Sequence, residues 1–271
     1  MPDPLDITLA QLPLLRRYEL GHRLDPTIPT GALHVPFRMA LTMRHGDMIR
    51  GDGGSAAQEM LSLGGHTGTH IDALAHASLD GRLHGGVDAH EASRGGRFQT
   101  HGVDTLEPVI ARGLLLDIAA LRGEDVLPAG HAIEAEELQA AAERQGVTIS
   151  AGDAVLVRTG WSAAHLHDRD AFLGLATGVP GVGVDGARLL SAKGARLAGS
   201  DTIAFEVIHR EIGHSSLPVH SHLLVEAGIP IVEMLHLDEL AADERWTFLL
   251  LLLPLRIAGG TGSPVRPVAL A

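Results

Sequence analysis

Three times in the second half of the chain, a helical stretch runs into a single glycine and then into a short apolar run. Ile133 to Gln145 closes at Gly146 ahead of Val147–Thr159. Asp185 to Lys193 closes at Gly194 ahead of Ala195–Gly199, and Val219 to Ala227 closes at Gly228 ahead of Ile229–Leu235. Glycine adopts the left-handed conformation that ends a helix, and Asp185 is placed to cap the start of the second one. Helix, stop and strand in regular alternation is the signature of strands joined by covering helices, so it commits this half to an α/β architecture.

The remainder supplies further strands. Phe37, Met39, Leu41 and Met43 alternate with Arg38, Ala40, Thr42 and Arg44, the period of a strand with one buried face. Gly46 to Ser55 reads as a loop turning at Gly51–Gly54, and Met60, Leu61 and Leu63 form a brief apolar run that ends at Gly64-Gly65. Gly113–Ala119 and Trp246–Leu253 are core strands. Residues 1–36 are proline-rich and without period, an irregular N-terminal arm with one short helix near Leu9–Tyr18. No low-complexity linker divides the 271 residues, so residues 1–271 are expected to form a single domain with a substantial core.

Composition narrows the partners. A formal charge of −12 argues against a nucleic-acid backbone or an anionic membrane surface. The opening residues show neither a basic nor an apolar stretch, so no signal peptide is expected, and no apolar run is long enough to span a bilayer. There is no cysteine, which removes disulfides and thiolate ligands and fits a reducing, cytoplasmic setting.

The chemistry concentrates in residues 66–76, His-Thr-Gly-Thr-His-Ile-Asp-Ala-Leu-Ala-His. On a straight helix Asp72 points away from His70. On a straight strand His66 and His76 would lie about 33 Å apart at about 3.3 Å per residue. A mixed path gathers them. Gly68 permits a bend that returns His66 toward His70, His70 and Asp72 share one side of an extended piece, and Asp72 and His76 share one face of a first helical turn. Two histidines and an aspartate, His66, His70 and Asp72, form a ligand set with an open position for a divalent ion, zinc or manganese first.

This stretch resembles the signature His-x-Gly-Thr-His-x-Asp-x-Pro-x-His of the metal-dependent cyclase family, which includes kynurenine formamidases and isatin hydrolases; Leu74 stands at the usual proline. Gly152–Trp161, Pro180–Asp185 and Gly262–Arg266 are also similar to cyclase segments. The resemblance implies a swivelling β/β/α fold with a mixed β core and peripheral helices, and a homodimer or higher oligomer. It also implies that His220 and Glu233 hold a second ion in the formamidase-like members, so one or two metals are expected. Read without it, His220 and Glu233 either converge, since a helix start and the following strand can lie side by side, or are a polar helix residue and a strand-end carboxylate.

A bound divalent ion would activate water and polarise a carbonyl, and His76 is then the natural general acid/base, with a fourth-ligand role as the competitor. Trp161 and Phe205 are candidates to line a pocket for a flat small-molecule substrate, and His222 is a pocket residue or a bystander. Asp201-Thr202 and His209–His214 are expected to approach the site. His84, His90 and His101 read as loop histidines. The leading expectation is a hydrolase of non-peptide C–N bonds, in a cyclic amide such as isatin or an aryl formamide such as N-formylkynurenine. A lactone hydrolase or a cyclase/dehydratase is the enzymatic alternative, and a non-catalytic metal-binding protein the alternative of another class.

Overall fold

The structure, a computed structural model, describes residues 12–31 and 33–271. The alternating half builds its centre. Strands β5 (Val109–Asp117), β7 (Ala154–Arg158), β9 (Leu197–Ser200) and β10 (Ile231–Glu233) are parallel neighbours in that order. Parallel neighbours need a crossover between them, and the expected helices supply it. Ala135–Gln145 ends at Gly146 with φ +67° before β7. Val184–Ala192 precedes Gly194 and β9. Pro218–His220 continues as a π-helical stretch, Ser221–Ala227, that ends at Gly228 with φ +69° before β10. Asp185 proves not to be a cap: Gly183 holds that position, and Asp185 lies in the first turn, ion-paired with Arg188.

Antiparallel wings extend this centre on both sides. On one side stand β11 (Thr247–Leu252), β13 (Val268–Leu270) and β1 (Arg17–Glu19). On the other stand β4 (His70–Asp72) and β12 (Gly262–Pro264), giving a nine-stranded mixed sheet ordered β1-β13-β11-β5-β7-β9-β10-β4-β12. Outside it, β6 (Ala132–Ile133) and β8 (Gly181–Val182) pair in parallel. The expected α/β single domain with a mixed β core and peripheral helices is what forms. Alternate residues of each central strand serve opposite faces, as the pleat requires. Leu114, Leu116, Val155, Val157, Ala198 and Ile231 pack under the helices with Leu138, Leu190 and Leu223. Leu115, Ala154, Leu156, Leu197 and Val232 pack on the other side with Ile71, Phe248 and Leu250.

Two local expectations change. The arm is not irregular throughout: after a single 3-10 turn, Leu12–Leu14, Arg17–Glu19 joins the sheet as β1 and buries Tyr18 (the start of the expected helix, residues 9–11, lies outside the described residues). Strands β2 (Arg38–Met43) and β3 (Gln58–Ser62) form a separate hairpin, and neither of its faces is buried. Met39, Leu41 and Leu61 share one face and are each at least half exposed. No described helix is long and apolar enough to cross a membrane.

Candidate metal centre

Strand β4 is three residues long and delivers two ligand-type side chains to one face, because His70 and Asp72 are two apart. It lies between β10 and β12, and the register places Glu233 directly opposite His70. The approach to β4 is a bend at Gly68, where φ is +65° and an added Cβ would fall 2.4 Å from Leu24. The Gly68 carbonyl accepts from His70 Nδ1 at 2.7 Å, which turns Nε2 into the cluster. Thr67 and Thr69 pin the bend by donating to the carbonyls of Val35 and Met234. After Asp72 the chain makes a turn, not the expected helix: His76 N–H donates to the Ala73 carbonyl at 2.9 Å. That turn still brings His76 back, and its ring lies 4.0 Å from that of His66.

Six of the candidate residues converge. His66 Nδ1 is 2.6 Å from Asp72 Oδ1, and its Nε2 is 2.9 Å from Thr261 Oγ1. His70 Nε2 is 3.5 Å from Asp72 Oδ1 and 3.3 Å from Glu233 Oε2. His220 Nε2 is 3.2 Å from Glu233 Oε1 and 3.7 Å from Asp72 Oδ2. Two triads have donor atoms within 4.8 Å of one another, His66–Asp72–His76 and His70–Asp72–Glu233. Asp72 belongs to both. His76 thus stands at ligand distance as well as near enough to move a proton.

The electrostatics follow from burial and proximity. Burial would draw His70 down, but its bond to Glu233 and the charges of Asp72 and Glu233 raise it to about 9. Burial also opposes the charged form of His220, which the surrounding acids, Asp72 first, nonetheless raise well above the usual range. Burial pushes Asp72 up, and His76, His220, His66 and His70 outweigh it and hold the carboxylate well below its usual value. His76 has less acid contact; burial lowers it to about 4, with His66 and His220 acting in the same direction against Asp72. The two acids thus favour the charged forms of His70 and His220, the electrostatic demand that a bound cation would also meet.

Whether an ion fits is decided by the acceptors. Asp72 Oδ2 and Glu233 Oε1 are buried and accept no well-formed hydrogen bond, with His220 Nε2 standing 3.7 and 3.2 Å from them. An unsatisfied buried carboxylate oxygen is costly, and a divalent ion held by His and carboxylate donors satisfies it. The donor set, imidazole and carboxylate without sulfur, suits zinc or manganese.

Three candidates lie elsewhere. His222, two residues from His220, bridges Ser191 Oγ at 2.8 Å and Glu226 at 2.7 Å, tying two helices together. Phe205 is fully buried among the helix-side core residues with φ +55°. Trp161 donates its indole N–H to the Phe172 carbonyl and lines an apolar cavity of about 810 Å³ with Leu127, Leu175 and Ala171; none of the metal-centre residues lines that cavity. Asp201 is engaged with Thr159 and Gly160, and His209 lines a different cavity. His84 bonds the Val225 carbonyl, as a loop histidine would. Sequence reading missed Glu206, which accepts from His220 Nδ1, as well as Thr261 and His34, whose ring lies 5.4 Å from that of His66. None of the three carries a spacing signal.

Residues 18–207 match the family described as "Putative cyclase", well over half of the chain. The chain belongs to the Cyclase family. The resemblance carried by residues 66–76 is therefore borne out. Cyclase-like protein 1 of Arabidopsis thaliana is 27% identical over 257 residues, covering 92% of this chain and 82% of that protein. Among solved structures, one described as a novel cyclase superposes with a TM-score of 0.85 at 26% identity, over 100% of this chain and 94% of its own. Isatin hydrolase A from Ralstonia solanacearum superposes with a TM-score of 0.78 at 27% identity, over 100% and 98% of the two chains.

Proposed function

We propose that this Cyclase-family protein is a metal-dependent hydrolase that opens a non-peptide C–N bond, in a cyclic amide of the isatin type or an aryl formamide. The observation that carries the reading is the pair of buried oxygens on Asp72 and Glu233 that accept no well-formed hydrogen bond, ringed by His66, His70 and His220. The full-length likeness to isatin hydrolase A supports the bond type.

A bound zinc or manganese ion, one or two of them, would supply a water of near-neutral pKa and polarise the carbonyl under attack. The rest falls to the chain. His66, His70, Asp72, His220 and Glu233 would hold the ion. His76, kept neutral by burial, is able to accept a proton from the attacking water and return it to the departing nitrogen. The protein's own side chains thereby separate charge holding from proton movement.

The test is elemental analysis of the purified protein, coupled to assays with isatin, N-formylkynurenine and simple lactones. Metal at one or two equivalents with turnover of an amide is expected. A protein that takes up neither zinc nor manganese overturns the reading. The His76→Ala variant is expected to keep its metal and lose turnover; loss of metal would make His76 a ligand instead.

The same reading includes a homo-oligomer. The exposed face of the β2–β3 hairpin, Met39, Leu41 and Leu61, supports association, since a solvated apolar strand pair is a hazard unless covered. Leu41→Lys combined with Leu61→Lys should convert a dimer or larger species to monomer in sedimentation without altering the fold. An unchanged sedimentation coefficient would exclude this face.

A further inference from the structure

Glu206 is 1% exposed and belongs to no strand or helix, yet it is the most heavily engaged carboxylate near the centre. Its position is over-determined. Phe205 carries φ +55°, its carbonyl accepts from Val182 N–H at 3.0 Å, and Val207 N–H returns to the Val182 carbonyl at 3.2 Å. Gly181 lets the two segments meet, because a Cβ there would lie 2.3 Å from the Glu206 carbonyl carbon.

From this anchor the side chain reaches the start of Pro218–His220. That helix lacks a capping side chain at Leu217, and Glu206 accepts from Val219 N–H at 3.2 Å and His220 N–H at 2.9 Å instead. The same Oε1 lies 2.5 Å from His220 Nδ1. A carboxylate accepts only, so Nδ1 carries the hydrogen. In the neutral ring Nε2 is then the lone-pair nitrogen, and it faces Asp72 Oδ2 and Glu233 Oε1. Without Glu206 the ring could adopt the other tautomer and donate Nε2–H to Glu233, which would use up both a nitrogen donor and a carboxylate acceptor.

We infer that Glu206 is a positioning residue of the metal centre: it fixes the Nδ1–H tautomer of His220 and directs Nε2 at the ion held by Asp72 and Glu233. The inference rests on the metal-dependent reading above. It is distinct from a purely structural role as a helix cap, because a cap acts on the backbone and leaves the ring's tautomer free.

The test is zinc binding alone, by equilibrium dialysis, in wild type, Glu206→Met, His220→Gln and the double variant. Glu206→Met removes the acceptor at Nδ1 and should weaken zinc by about 10- to 100-fold, the usual effect of losing a partner that orients a histidine ligand. In the His220→Gln background the same change should cost nothing further, because its effect passes through that ring. Imidazole ¹⁵N spectra of the zinc-loaded wild type should show His220 protonated at Nδ1, the signal being assigned by its absence from His220→Gln. Unchanged affinity in Glu206→Met, an equal loss in both backgrounds, or a His220 ring protonated at Nε2 would each overturn the inference while leaving the metal reading intact. A wild type that binds no zinc or manganese would sink both.

Discussion

Asp72 and Asp201 are both fully buried aspartates at strand ends of one sheet, and their surroundings are opposites. Asp201 accepts from Thr159 N–H at 2.9 Å, Thr159 Oγ1 at 2.7 Å and Gly160 N–H at 2.8 Å, so both oxygens are occupied by donors within hydrogen-bond range. It holds the turn after β7 against the end of β9. Asp72 is met by histidines and still keeps Oδ2 without a well-formed hydrogen bond. The protonation preferences diverge accordingly. Burial raises Asp201 to about 6 despite the Thr159 bonds, whereas the histidines hold Asp72 well below its usual range. Buried charge therefore marks no site by itself. An acid saturated by backbone and hydroxyl donors is structural, and one left short among imidazoles has the surroundings that could hold a cation.

The largest expected effect tests that division. Asp72→Asn should weaken zinc by more than about 100-fold, beyond what loss of an outer partner costs, because Asp72 is shared by both ligand triads. Zinc retained at wild-type affinity would show that the cluster is no metal centre. The Asp201→Asn variant should keep its zinc affinity and alter stability instead. The Asp201 pKa in the folded state, about 6, lies above the unfolded value near 3.9, so this group's contribution is fully present below about pH 4 and is lost as pH rises through about 6. Urea unfolding of wild type against Asp201→Asn should show the difference between them move by about 3 kcal/mol over that window, against the wild type. A difference that is flat with pH would place Asp201 in a wetter setting.

A smaller effect sharpens the other half of the comparison. His70, raised to about 9 in the metal-free chain, must lose its proton to become a ligand. His220, raised as well, must do the same, so zinc affinity should climb by up to about a hundredfold per pH unit through neutrality, with a proton released from each ring per ion. Calorimetry in buffers of different ionisation enthalpy reads those protons directly. Binding without proton release would mean that His70 is already neutral or is not a ligand.

What the sequence disclosed follows the range of its signals. The helix–glycine–strand alternation was legible because each stop is local, and it placed the four parallel strands in their crossovers. The crowding of His66, His70, Asp72 and His76 was legible because Gly68 provides the bend. The pairing of Glu233 with His70 was not, since cross-strand register is set by the whole sheet. The period of two in residues 37–44 marked a strand but not what covers it, and among the described residues neither face is buried. His222 follows His220 by two positions, about 200° around a helix, so the two were bound to face apart. Phe205 is the aromatic residue of its segment and lies in the core, while the acid beside it, Glu206, makes the contact with His220.

The smallest expected effect concerns Leu74, the position at which the chain departs from the signature proline of its family. Leu74 is the second residue of the turn closed by His76 N–H and the Ala73 carbonyl, the position that proline favours. Ala73 and Ala75 donate to the Thr261 and His101 carbonyls and would keep those bonds in the variant. Leu74→Pro should stiffen the unfolded chain and stabilise by about 0.4–1 kcal/mol. Against this stands the loss of a partly buried leucine that packs on the helix-side core. The net change in unfolding free energy is expected to stay within about 1 kcal/mol, with zinc affinity unchanged, because no ligand atom depends on that side chain. A large loss of zinc with the fold intact would mean that Leu74 sets the angle at which His76 returns to His66, and that the centre is held by its turn as much as by its carboxylates.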